Sequence, residues 1–324
     1  MSDKQVLLDG HYLNPATGLS ETLNVLLANN QLVGLGYVPD EDEESIQKKS
    51  IKGAYIVSNP MGVSFDLLDP SSLPRVSELL ISRGYTHFSA CVSHADVSEL
   101  LSVPQSALFS PFTYLKDVEG RIVECSQLKQ QGVCGFVHSF ETDKDWTVFQ
   151  EGIIACSLLE LPIVIPVQTD SFDFEKALNL FNDLNGYKLH FSGLDNRTAL
   201  EAILKYNQSR DRVSVGVPAS KVNDKNFIDA LKGLFESPLA FCFEYKMEDS
   251  ESLSTFLLSF ASTMGLSLAK VVSVLSEAPF SCFGLSYEGF GLYSRPCFSV
   301  CRIDPEESTE QVFIKGACVY DTST

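Results

Sequence analysis

Five histidines are the first residues to weigh, because paired imidazoles at a strand end can grip a metal ion. They are His11, His87, His94, His138 and His190. No two are separated by a single residue, the spacing that puts both rings on one side of a strand. None sit four apart on a helix. The nine cysteines include no Cys-x-x-Cys, and Cys297 and Cys301, four apart, have no second pair to complete a zinc site. Their number is odd and several have apolar neighbours, as in Val-Cys134-Gly-Phe and Ala-Phe-Cys242-Phe, which reads as reduced core thiols. Ser64 has no Gly-x-Ser-x-Gly elbow to make it an acyl-transfer nucleophile. Gly289-Phe-Gly291 is a turn with no helix start after it, so it is not a phosphate loop.

The elements that must position any site come from a chain of 324 residues, enough for one large domain or one large and one small. Hydrophobic content of 44% suits a globular core. A formal charge of -18 argues against nucleic acid and anionic membranes as partners and leaves a basic protein surface open. Taken alone, that charge is a solvated acidic surface. No run of apolar residues is long enough to span a membrane. Met1-Ser-Asp-Lys-Gln lacks the charged and apolar regions of a secretory signal, so a cytoplasmic protein is expected.

The first fifty residues read as strands. Val6-Leu7-Leu8 is followed by a turn at Asn14-Pro15-Ala-Thr-Gly18. Leu23–Leu27 and Leu32–Gly36 then form a hairpin about Asn29-Asn30, before a charged loop from Asp40 to Ser50. From Ile51 to Leu285, short apolar strands alternate with amphipathic helices. Eight strands are expected, at Tyr55–Ser58, Thr86–Val92, Ala107–Ser110, Gly132–Val137, Pro162–Val167, Lys188–Ser192, Val213–Val217 and Leu239–Phe243. Helices are expected at Leu73–Arg83, Ser126–Gln131, Trp146–Leu159, Phe174–Leu184, Asn196–Tyr206 and Lys225–Phe235. This alternation predicts an α/β fold, a distorted (β/α)8 TIM barrel. Strand patterns return at the end, around a turn at Asp304-Pro305. Residues 1–52 and 286–324 are therefore expected to pair into a small β-sandwich domain around a barrel of residues 53–285.

Several strings in this order resemble the dihydroorotase branch of the amidohydrolase superfamily. They are Leu7-Leu-Asp-Gly10, Asn14-Pro-Ala-Thr-Gly18, Arg83-Gly-Tyr-Thr-His-Phe-Ser89, Gln127-Leu-Lys-Gln-Gln-Gly-Val-Cys-Gly-Phe136, Lys188-Leu-His-Phe-Ser192, Asn196-Arg-Thr-Ala-Leu-Glu-Ala-Ile203 and the stretch from Leu266 to Leu285. The resemblance covers most of the chain and implies an amidohydrolase barrel with zinc at its mouth.

The departures from that pattern fall on the chemistry. The family's first barrel strand ends in His-x-His-Leu-Arg-Glu-Pro; here Pro60-Met-Gly-Val-Ser64-Phe-Asp66-Leu-Leu68-Asp-Pro70 puts Ser64 and Asp66 at the two metal ligands and Leu68 at the substrate arginine. The substrate-contacting asparagine falls near Ser93, and the bridging lysine or aspartate near His138. The fifth- and sixth-strand histidines fall on Pro166 and Gly193, and the eighth-strand base around Glu244. His190 matches a neighbouring histidine that is not a ligand. Zinc catalysis needs three firm ligands and a water. The resemblance therefore implies a non-catalytic dihydroorotase homologue with no metal of its own. It also implies a protein partner, either aspartate carbamoyltransferase, with which inactive chains of this kind assemble in pyrimidine biosynthesis, or a second copy of the chain. The alternative is a rewired cyclic amidohydrolase with one metal held by Asp66, His138 and Glu244, and a third reading is a small-molecule sensor. Read singly, His138 is a surface or satisfied histidine, His190 a core histidine bonded to backbone, and Asp66 a polar strand end or helix cap.

Overall fold

A computed structural model describes residues 4–38, 40, 45–103, 106–167, 172–206, 211–225, 227–246, 251–303 and 308–322. The chain opens with five strands: β1 Lys4–Asn14, β2 Leu19–Ala28, β3 Gln31–Leu35, β4 Gln47–Ser50 and β5 Tyr55–Ser58. β1, β2 and β3 form an antiparallel meander. Its second turn is Asn29-Asn30, at φ 51° and 61°, a conformation asparagine tolerates better than most residues. β4 and β5 run parallel to β1 along its free edge.

The next eight strands close into a parallel barrel in chain order. They are β6 Met61–Leu67, β7 His87–Val92, β8 Leu108–Tyr114, β9 Gly135–Val137, β10 Pro162–Pro166, β11 Lys188–Ser192, β12 Val213–Pro218 and β13 Ala240–Glu244. The chain ends with β14 Phe298–Arg302, β15 Ser308–Ile314 and β16 Ala317–Asp321. β14 pairs with β5, so both ends of the chain build one sheet ordered β16-β15-β14-β5-β1-β2-β3, with β4 also on β1. This sheet encloses its own small core of Leu7, Val25, Ile56, Phe298, Val300 and Phe313.

One expected barrel strand belongs elsewhere. Tyr55–Ser58 lies in the terminal sheet between β1 and β14, and the barrel begins instead with Met61–Leu67. The break is Asn59-Pro60. Asn59 sits at φ 45°, its N–H donates to Cys297 O at 2.8 Å, and its amide donates to Glu288 O. Tyr55–Ser58 thus pairs on the sheet side of this dipeptide and the barrel strands follow it. The Asp304-Pro305 turn and part of the 40–50 loop lie outside the described residues.

Helices α1 Leu73–Ser82, α2 Val97–Ser102, α3 Cys125–Gln130, α4 Asp145–Leu158, α5 Phe174–Asp183, α6 Arg197–Tyr206 and α7 Ile228–Glu236 cover the barrel. α5 shows why they form. Phe174, Ala177, Leu178 and Phe181 recur at helical spacing and are buried, and Asp173 caps the first turn by accepting from Lys176 N at 2.9 Å. After β13 come α8 Leu253–Met264, α9 Leu268–Leu275 and α10 Glu277–Phe283. α8 and α9 join the barrel to the terminal sheet. α10 closes the end of the barrel where the strands begin. It inserts Phe280, Cys282 and Phe283 among Met61, Val63, Phe112 and Cys242 of the lumen.

Candidate functional site at the barrel mouth

Parallel barrels gather their functional side chains where the strands end. Here a cavity of about 1230 Å³ opens at that end. Of the candidate positions, Ser64, Asp66, Ser93, Pro166, Gly193 and Glu244 line it together. Leu68 and His138 do not.

Leu68 is buried beneath the helices, and its N–H donates to Cys91 O at 2.8 Å. His138 faces away from the lumen because Val137 and Ser139, its chain neighbours, both face the cavity and side chains alternate along a strand. Its ring is fully buried beside α4, stacked on Phe149 and edge-on to Phe140. Nε2–H donates to Asp145 O at 3.0 Å, and Nδ1 finds no partner among the described residues. Burial pushes this imidazole down to about 4, against the raising effect of the Asp145 carbonyl and charge. The set Asp66, His138 and Glu244 therefore does not converge on one ion.

Glu244 is the centre of the mouth. It ends β13 with its side chain 10% exposed. Oε1 accepts from His190 Nε2–H at 3.0 Å; Oε2 accepts from Ser192 Oγ–H at 3.0 Å and from Gly193 N–H at 2.7 Å. Gly193, at φ 76°, bends the chain so that its N–H meets the carboxylate, a conformation residues with a Cβ rarely adopt. His190 lies below, fully buried, with Nδ1 2.9 Å from Ser214 Oγ. Both ring nitrogens thus meet side chains, not the backbone expected from sequence. Burial alone would lower His190, but hydrogen bonds to Cys282 and Glu244 and the charge of Glu244 outweigh it and raise the imidazole to about 9. Cys282 is drawn down, first by a hydrogen bond from Cys242 and then by His190, against burial. Cys242 is pushed well up by burial and by Cys282.

The mouth does not fit the metal of an amidohydrolase. Pro166 offers no donor, and Gly193 presents an N–H to a carboxylate. Both Glu244 oxygens are engaged, and Ser64 Oγ accepts Asp66 N–H at 3.2 Å. Asp66 alone does not make the three firm ligands zinc requires. Ser192, Ser214, Gly216, Cys242 and Cys282 were not among the expected site residues. Four of them follow a readable rule: His190-x-Ser192, Ser214-x-Gly216 and Cys242-x-Glu244 are alternate positions on adjacent strands, registered His190 to Ser214 and Gly216 to Cys242.

No protein-family model matches the sequence, and no curated protein matches it. Solved structures do. L-hydantoinase (dihydropyrimidinase) from Arthrobacter aurescens is 11% identical, with TM-score 0.76 over 99% of this chain and 96% of that one. Dihydropyrimidinase from Brevibacillus agri NCHU1002 is 9% identical, with TM-score 0.75 over 98% and 95%. A β-aspartyl dipeptidase from Fervidobacterium islandicum AW-1 is 12% identical, with TM-score 0.71 over 100% and 98%. The chain shares the fold of these structures: a closed eight-stranded parallel barrel with a separate sheet from both termini.

Proposed function

We propose that this chain is a non-hydrolytic, dihydroorotase-like barrel kept for its contacts. It serves as a structural or regulatory subunit of pyrimidine biosynthesis in the cytoplasm, with aspartate carbamoyltransferase as partner. One observation carries the reading: the mouth carboxylate Glu244 is spent on His190, Ser192 and Gly193, so that of the positions where the family pattern places its metal only Asp66 keeps a side chain to offer an ion. The net charge of -18 favours a basic partner surface, where complementary charge speeds association. Among the described residues no helix is long and apolar enough to cross a membrane. The test is co-elution of the two purified proteins on a sizing column at low and moderate salt. A shared early peak supports the assignment, and two separate peaks at both salts refute it.

A second reading is hydrolysis of a C–N bond in a cyclic amide, supported by the open cavity and by similarity in fold to hydantoinase and dihydropyrimidinase. It predicts ring opening that depends on added zinc.

A further inference from the structure

The barrel lumen below Glu244 carries a donor set that the mouth does not use. His190 on β11, Cys242 on β13 and Cys282 on α10 each offer one donor atom, and these atoms lie within 4.8 Å of one another. All three side chains are buried, between 0% and 1% exposed. Among the described residues, this is the one group of three such donors that comes together. The walls around it are apolar, with Phe65 and Phe283 on the histidine ring. Packing alone does not call for two thiols and an imidazole there, since apolar side chains of similar volume would fill the same space without desolvating polar groups.

We infer that His190, Cys242 and Cys282 form an interior site for one soft divalent metal ion, zinc by its donor chemistry, that fastens α10 into the barrel. The orientation of His190 supports this. Glu244 is a pure acceptor, so Nε2 carries the hydrogen and in the neutral ring Nδ1, which otherwise meets Ser214 Oγ, is the nitrogen with a lone pair for a metal. Metal-bound imidazoles are commonly held in this way, the far nitrogen donating to a carboxylate. Ser192 and Gly193 in turn hold that carboxylate in place. Ser214 Oγ, 2.9 Å from Nδ1, is a neighbouring oxygen that, directly or through a water, would supply a fourth donor. Two thiolates and an imidazole select zinc over magnesium or calcium, which take oxygen ligands. The site lies within the lumen, separate from the strand-end positions where the amidohydrolase pattern places zinc, and it does not depend on the proposed function.

The experiment is titration of the fully reduced, metal-stripped whole protein with cobalt(II), followed by absorption. The expected result is saturation at one ion per chain with an intense near-ultraviolet thiolate-to-cobalt band. C242S and C282S should each weaken or abolish that band, whereas E244Q keeps it at an affinity roughly 10–100-fold lower. In parallel, zinc should protect Cys242 and Cys282 of the wild-type protein from alkylation in mild denaturant, read peptide by peptide by mass spectrometry; this arm needs no variant to fold. Folded, reduced protein that gives no thiolate band, or a band that neither C242S nor C282S weakens, overturns the site. An ion held only by oxygen and nitrogen at the mouth gives no such band, so the two locations are told apart.

Discussion

Glu244 lies across Gly216 so closely that a Cβ on Gly216 would fall 1.8 Å from Glu244 Oε1. The missing side chain on β12 is what lets the β13 carboxylate fold back over the lumen to His190 and Gly193. Gly216→Ala should therefore expel the carboxylate and break its three hydrogen bonds. The expected loss is about 1–3 kcal/mol, the usual cost of overpacking, measured by urea unfolding. The double variant Gly216→Ala with Glu244→Ala should recover part of this loss, because the clashing group is gone. Equal stability of Gly216→Ala and wild type would show that Glu244 has another low-energy position.

On the alkaline side, His190 sets the pH dependence of the metal-free protein. Its folded value of about 9 lies above the usual 6.5. The stability from its pairing with Glu244 and Cys282 is thus fully present below about pH 6.5 and lost as pH rises through 9. Glu244→Gln should flatten stability between pH 7 and 9. In an NMR titration the His190 ring should lose its proton at lower pH in that variant than in wild type. An unchanged titration would remove Glu244 as its partner.

On the acid side the sign reverses. His138 and His87 are both pushed down to about 4, each mainly by burial. Unfolded chains bind these protons near 6.5 and the folded chain does not, so stability falls as pH drops from about 6.5 toward 4. Each contributes at most about 3–4 kcal/mol, since every tenfold change in proton affinity is worth about 1.4 kcal/mol. His138→Gln should make the urea midpoint less sensitive to pH in this window. Because His138 lies outside the cavity, the same substitution should leave any ligand or metal binding at the mouth unchanged.

The barrel was legible because its signal is local: apolar runs four to seven residues long, alternating with helices such as Phe174–Asp183 whose buried positions repeat at helical spacing. The fate of Tyr55–Ser58 was not, since β5 looks the same whether it pairs inside a barrel or beside β14; the positive φ of Asn59 decides it. At the mouth, counting along the resemblance brought six positions to one cavity. It misplaced His138 by one residue of strand alternation, with Val137 and Ser139 taking the lumen side. The His190–Glu244 contact joins residues 54 apart, and Cys282 arrives on a helix beyond the last barrel strand. Only the closed topology brings those groups together.

A mouth without hydrolytic chemistry is tested most directly by the rate of dihydroorotate ring opening. The whole protein is supplied with zinc and followed in ultraviolet absorbance against buffer with zinc alone. The expected result is no rate above that background. Turnover that requires zinc and disappears in Asp66→Asn and Glu244→Gln would contradict it, and would make the mouth an active hydrolase site.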